Sequence, residues 1–203
     1  MLGEKLSEAI RTSQILREAA FTSAISDDSI KREEIGKIAK FSSGKLIRVS
    51  DLPKCRSELN PYPVVGGNGI AGFANQPLAE VPSPCIAIGR VGEYCGAVHF
   101  IDDACWVTDN ALYVKSHTDR LKSRYFELCL QNLHLNRHAT GGAQPLMTQG
   151  IINRFKIPIP TEDRQDEIIA SDHLITSNVH AMRERLASVQ DLGRKLLAEC
   201  FEK

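Results

Sequence analysis

The sequence predicts an α+β fold, a small mixed, barrel-like β-sheet domain flanked by long amphipathic coiled-coil helices. Three observations carry that prediction. Ile168, Ile175, Met182, Val189 and Leu196 recur every seven residues, with Val179 and Leu186 at the intermediate positions, as a coiled-coil seam requires. Residues 3 to 23 carry a second amphipathic pattern. Between the two lie short β-type runs separated by Gly and Pro.

Taken in chain order, the N-terminal helix places Leu6, Ile10, Leu16 and Ala20 on one face and Glu8, Arg11, Arg17 and Glu18 elsewhere. The runs Tyr62 to Val65, Cys85 to Ile88, Ala97 to Ile101, Ala111 to Val114 and Phe155 to Ile159 are expected strands. One helix is expected to interrupt them at about Asp119 to Leu135, where Leu121, Tyr125, Leu128 and Leu133 space helically. The last helix opens after Pro158 and Pro160, with Thr161 as N-cap and Glu162 and Asp163 complementing the helix dipole. Asp172 and Gly193 interrupt its seam, so it is expected to depend on a partner helix. The pairs Leu6 and Leu186, Leu16 and Leu196, and Phe21 and Phe201 share one offset of 180 residues, as two copies of one helical element would. The expected organisation is a helix over 1–26, a globular domain over 27–160 and a spacer helix over 161–203.

A chain of 203 residues holds one domain of ordinary size with helical additions. Lys plus Arg and Asp plus Glu are 25 each, which argues against a protein that coats nucleic acid indiscriminately. Residues 37–56 and 115–137 nevertheless lean basic, so the neutral total leaves room for a local positive surface. No apolar run reaches the roughly 18 residues a membrane span needs, and Glu4, Glu8 and Arg11 break any secretory h-region. A cytoplasmic protein without membrane partners is expected. The cysteines Cys55, Cys85, Cys95, Cys105, Cys129 and Cys200 form no C-x-x-C pair and read as buried structural thiols.

Catalytic and cofactor motifs fail on inspection. Gly67, Gly69 and Gly72 satisfy G-x-G-x-x-G, but Pro77 and Pro82 deny the helix whose N-terminus would bind a phosphate, so a tight turn is the better reading. Asn60 to Pro63 (NPYP) has the wrong order for a methyltransferase loop and lacks a cofactor-binding unit around it. His134 and His138 are spaced like zinc ligands without the intervening Glu, so His99, His117, His134 and His138 read as surface or DNA-facing side chains. No catalytic site, metal or cofactor is expected. Arg90 in IGRVGEYCG and Thr108, Asp109 and Asn110 in WVTDNAL put polar side chains on loops between strands, as base-edge or phosphate contact requires. An Asx-stabilised turn at Thr108 to Asn110 and a core anchor at Arg90 are the competing readings.

In order, YPVVGGNGIAGF, IGRVG, WVTDNAL and ATGGAQPLMTQGIINRFKIPIP followed by Glu162 to Ile169 resemble the target-recognition domain of type I restriction-modification specificity subunits. The resemblance covers about Ile35 to Ile169 and departs from it at Arg164 and Gln165, where the family usually carries Glu-Gln. It implies a DNA-reading domain whose long helix acts as a spacer and docks the methyltransferase subunit, and through it indirectly the restriction subunit. The family usually joins two recognition domains, and this chain shows one. A half-subunit that forms a homodimer through its coiled-coil helices and reads an interrupted, two-fold symmetric site is one expectation. A piece of a longer or exchangeable subunit is the other. A recognition domain serving another methylation-linked defence enzyme, or an oligomerisation scaffold that binds no DNA, remain the rivals.

Candidate contacts to double-stranded DNA are Lys45, Arg48, Arg90 and Arg137 for phosphates, and Asn68, Asn75, Gln76, Thr108, Asn110 and His138 on loops. Thr140 and Gln144 belong to a loop running to Gln149, to which Gly141 and Gly142 lend flexibility. The stereotyped character of that loop suits support of the fold or a grip on the DNA backbone.

Overall fold

The computed structural model describes the backbone of residues 2–141 and 144–201, and their side chains except at 2, 3, 5 and 196–201. Gly142 and the side chains of Leu196, Cys200 and Phe201, which figured in the expectations above, lie outside the described residues. The chain divides into two compact units, one of residues 31–162 and one of residues 1–30 with 163–203.

The first unit is the expected small mixed β domain, its strands arranged in three open sheets. Strands β1 (Arg32–Glu34) and β9 (Lys156–Pro158) form an antiparallel pair. Strands β2 (Ala39–Ser43), β5 (Cys85–Gly89), β6 (Val98–Ile101) and β8 (Ala111–His117) form an antiparallel sheet in the order β2-β8-β5-β6. Strands β3 (Tyr62–Gly66), β4 (Gly69–Ala74) and β7 (Trp106–Val107) make the third, with β3 and β7 parallel. All five residues of β5 are buried, which fits a central strand read as a continuous apolar run. Val65, Cys85, Ala87, Cys105, Val107 and Tyr113 share one core across the two larger sheets.

The internal helix is shorter than its periodicity suggested. Helix α3 covers Ser123–Asn132, and Leu135–His138 form a separate 3-10 turn. His134 between them stands at φ 48°, a left-handed conformation that a continuing helix cannot accommodate. At the other end, residues 118 to 121 close as a turn through Leu121 N–H to the Thr118 carbonyl. The buried face of α3 includes Tyr125, Phe126, Leu128 and Cys129, and the Tyr125 hydroxyl donates to the Pro158 carbonyl at 3.1 Å. Two single-turn helices, α2 (Ile35–Ile38) and α4 (Gln149–Ile152), complete the unit, the latter capped by the Thr148 hydroxyl.

The second unit pairs α1 (Leu2–Ala24) with α5 (Glu162–Phe201). Arg17 meets Asp172 and Arg164 donates to the Ala24 carbonyl, so the helices run antiparallel. On α5 the buried or half-buried positions among the described residues are 165, 168, 169, 172, 175, 179, 182, 186, 191 and 193, and all but 169 and 191 keep the heptad spacing of the expected seam. The α1 face differs from expectation, because Leu16 is 58% exposed while Ser13 and Arg17 lie on the half-buried side with Leu6, Ile10 and Ala20. Asp172 does not break the seam. Its carboxylate is buried there and held by Arg17, with Nη2 to Oδ2 at 3.2 Å.

Among the described cysteines, Cys85, Cys95, Cys105 and Cys129 are buried and Cys55 is exposed, so the expectation of buried thiols fails at Cys55. Residue 55 sits in the segment between β2 and β3, within a run, 53–59, whose residues are all exposed. Burial pushes the Cys129 thiol up to about 12 and also raises that of Cys95. Iodoacetamide at pH 8 is therefore expected to alkylate Cys55 in the native protein and the four buried thiols only after denaturation, as peptide mass spectrometry would show.

Candidate nucleic-acid interface

Three turns meet at one end of the sheet unit. The first is the two-residue connection Gly67-Asn68, which closes the β3–β4 hairpin between paired Gly66 and Gly69. Gly69 has φ +90°, a conformation that favours glycine, so the G-x-G-x-x-G string is a hairpin turn here. The second is the β5–β6 connection from Arg90 to Ala97, and the third is Thr108 to Asn110 between β7 and β8. The Gly67 carbonyl accepts from His99 Nε2 at 2.9 Å, and Arg90 N–H donates to the Asn110 carbonyl at 2.9 Å. A β-carbon on Gly67 would come within 3.7 Å of both the Gly89 Cα and the Asn110 carbonyl oxygen.

The loop from Thr140 closes over the same end. Met147 N–H donates to the Arg90 carbonyl at 2.8 Å and Gly92 N–H to the Pro145 carbonyl at 3.2 Å. Leu146 forms antiparallel bridges with both Val91 and Thr140. The 3-10 turn packs beside it, since a β-carbon on Gly96 would lie 2.4 Å from the Asn136 nitrogen. His138, in that turn, meets the Phe155 ring edge-on at 4.8 Å.

This end gathers Asn68, Arg90, Asn110, Arg137, His138, Thr140 and Gln144. All are exposed except Arg90, which is half-buried. Among the described residues the Arg90 and Arg137 guanidiniums have no hydrogen-bond or ion-pair partner, leaving both cations available to an anion. Backbone bonds fix the Arg90 main chain, and among the described residues no acid pairs with its side chain as the core-anchor reading requires.

The other sequence candidates are placed differently: the Lys45 backbone lies beside the third turn, its N–H donating to the Val107 carbonyl at 2.9 Å, but its side chain turns to Glu80. Lys45 holds Glu80 at 2.5 Å, with both side chains about half exposed, and that contact draws the Glu80 carboxyl below the usual range. Arg48 stands 3.5 Å from Asp51 at the surface. Such pairs are worth little, and a phosphate would compete with a carboxylate for each cation. Asn75 and Gln76 are exposed beyond the far end of β4, away from the Gly67-Asn68 turn.

Thr108 is a correction. Its side chain is 2% exposed, its N–H donates to the Val65 carbonyl, and its carbonyl accepts from Ala111, so it belongs to the turn and cannot reach a groove. One residue at this end, Tyr94, escaped selection from the sequence, and His99, read there as a surface or DNA-facing side chain, is half-buried. Tyr94 is 43% exposed on a loop bracketed by Gly92 at φ +74° and Gly96 at φ +85°, and His99 braces the hairpin turn. The signal for Tyr94 was present as an aromatic between two glycines.

Charge divides between the units. Residues 31–162 hold 16 Lys and Arg against 12 Asp and Glu, whereas residues 1–30 and 163–203 hold 9 against 13. The neutral total is thus a surplus of four positive charges on the sheet unit balanced by four negative ones on the helical unit.

Comparison with known proteins gives a consistent result. Residues 29–173 match the family described as type I restriction modification DNA specificity domain. Over 140 residues the chain is 29% identical to the type I restriction enzyme EcoprrI specificity subunit of Escherichia coli, covering 69% of this chain and 34% of that protein. Its fold is similar to the S subunit of a type I restriction-modification system from M. genitalium, at TM-score 0.72 and 16% identity over 96% of this chain and 55% of the other. It is also similar to the HsdS subunit from Thermoanaerobacter tengcongensis, at TM-score 0.62 and 16% identity over 98% and 53%. The chain spans about a third of the length of the curated relative and about half that of the solved ones.

Proposed function

Because the chain belongs to the family of type I restriction-modification DNA specificity domains, we propose that its sheet unit recognises a short stretch of double-stranded DNA with the end built by the three turns. Arg90 and Arg137 at that end, unpaired among the described residues, are the observation that carries this reading. Phosphate contacts set register, and short polar side chains read base edges. Arg90 and Arg137 fill the first role, and Asn68, Asn110 and Gln144 are placed for the second. His138 and Thr140 flank them. Lys45, Arg48, Asn75 and Gln76 take at most peripheral phosphate contacts.

Residues 27–160 act as the recognition domain, and helices 1–26 and 161–203 act as the spacer. The helical unit docks a methyltransferase subunit, and through it a restriction subunit, over bases flanking the bound stretch. Chemistry belongs to those subunits, which act in the cytoplasm. A second copy, joined through the coiled-coil helices, supplies the other half of an interrupted site.

Selection from a random duplex pool, with the methyltransferase subunit present, tests the reading. Enrichment of one interrupted sequence supports it, and recovery of an unenriched pool overturns it. With the selected duplex, Arg90→Ala and Arg137→Ala are each expected to weaken binding about equally across sequences and to lower the salt slope of log K by about 1. An unchanged slope in both variants removes them from the interface.

A further inference from the structure

The pairing register of the helical unit, set against the internal repeat, shows what a second copy has to displace. With Ala24 level with Arg164 and Arg17 level with Asp172, and equal rise in both helices, the start of α1 comes level with about Leu186 of α5. Burial along α5 thins beyond that level, although Asp191 and Gly193 are still half-buried. Val179 is 7% exposed and Leu186 is half-buried, but Val189, the next seam position, is 38% exposed and Leu192 is 58% exposed. The heptad in the sequence continues to Leu196.

The sequence of α1 is itself related to the last turns of α5. Leu6, Leu16 and Phe21 match Leu186, Leu196 and Phe201 at one offset, so α1 presents to the first half of α5 what the last half of another α5 would present. Two α5 helices in the same antiparallel register would be centred near Glu184, with Val189 of one chain facing Val179 of the other. Such an exchange keeps the number of helix contacts per chain nearly constant, as domain swapping does.

One position distinguishes the two arrangements. Asp172 is 8% exposed and is held by Arg17. The residue one repeat after Arg17 is Leu197. A second copy docked in this register would face the buried carboxylate with leucine, and an unpaired buried charge strongly opposes association. We propose that α1 occupies the surface on α5 that fits a second copy of this chain, and that the Arg17–Asp172 pair selects the chain's own α1 over that copy. The inference rests on the homodimer reading above and adds that α1 must leave before the dimer forms.

The test is the dimer dissociation constant of the full chain by sedimentation or mass-resolved light scattering, with hydrogen exchange of α1 followed in the same samples. Asp172→Leu is expected to tighten dimerisation by about tenfold or more, with protection lost in α1 and kept in residues 165–186 of α5. The charge swap Arg17→Asp with Asp172→Arg returns the pair in the opposite sense and is expected to dimerise no more tightly than the wild type. It also guards against nonspecific association of a damaged seam. Equal constants for wild type and Asp172→Leu, or a dimer in which α1 stays protected, would overturn the selection by Arg17 and Asp172 and leave the homodimer standing. Absence of dimer in every variant at the highest concentration reached would overturn both.

Discussion

Gly89→Ala is expected to lose DNA affinity by at least about tenfold and to destabilise the sheet unit by about 3 kcal/mol, the upper part of the usual range for forcing atoms into a packed site. Gly89 ends the central strand β5, and a β-carbon there would lie 2.1 Å from the Tyr94 carbonyl oxygen and 3.0 Å from that of Gly67. Both are backbone atoms, so no rotamer change relieves the clash. The loop is also tethered on either side, by Gly89 N–H to the Ala97 carbonyl and Gly96 N–H to the Gly89 carbonyl, each at 2.8 Å. Relief therefore has to come from moving the Arg90–Gly96 loop off the Gly67-Asn68 turn, which displaces Arg90, Tyr94 and Asn68 together. Thermal unfolding and fluorescence anisotropy on the selected duplex check the two effects. Full affinity in a folded Gly89→Ala protein would mean that the convergence of these turns does not form the DNA-binding surface.

That convergence explains which parts of the interface were legible in the sequence. Arg90 and Asn110 stood out because each lies on a loop next to a strong strand signal, and the backbone bond from one to the other could not be read from either segment alone. Thr108 looked equally accessible in WVTDNAL. Its burial depends on the parallel pairing of β7 with β3, a long-range contact between a two-residue strand and one that starts at Tyr62. Strand β4 was missed because Gly69, Ala71, Gly72 and Ala74 leave little hydrophobic alternation to detect. In the helical unit the seven-residue period of α5 was strong enough to survive Asp172. The reason for the aspartate lay 155 residues away, in the arginine that holds it. Leu16 was assigned to the α1 seam on helical spacing, but the phase of that seam follows Ser13 and Arg17, whose polarity hid them.

Phe126→Ala gives the complementary result, a large loss of stability with little change in affinity for the folded protein. The ring is fully buried in α3, 6.4 Å from Phe41 of β2 and 5.9 Å, edge-on, from His117 of β8. Removing a buried phenyl ring costs about 3–5 kcal/mol, the transfer energy of the ring plus a cavity its neighbours fill only in part. For a unit of this size the midpoint should fall by about 10 °C or more. Neither of these two contacting residues belongs to the turns around Arg90, so below its transition the variant is expected to bind the selected duplex within about twofold of wild type. Denaturant midpoints and low-temperature anisotropy measure the two quantities separately. If Phe126→Ala and Gly89→Ala lose affinity in proportion to their lost stability, DNA binding reports only the folded fraction, and the three-turn end has no special claim. Affinity lost in Gly89→Ala beyond its stability, and retained in Phe126→Ala, assigns recognition to the geometry of that end.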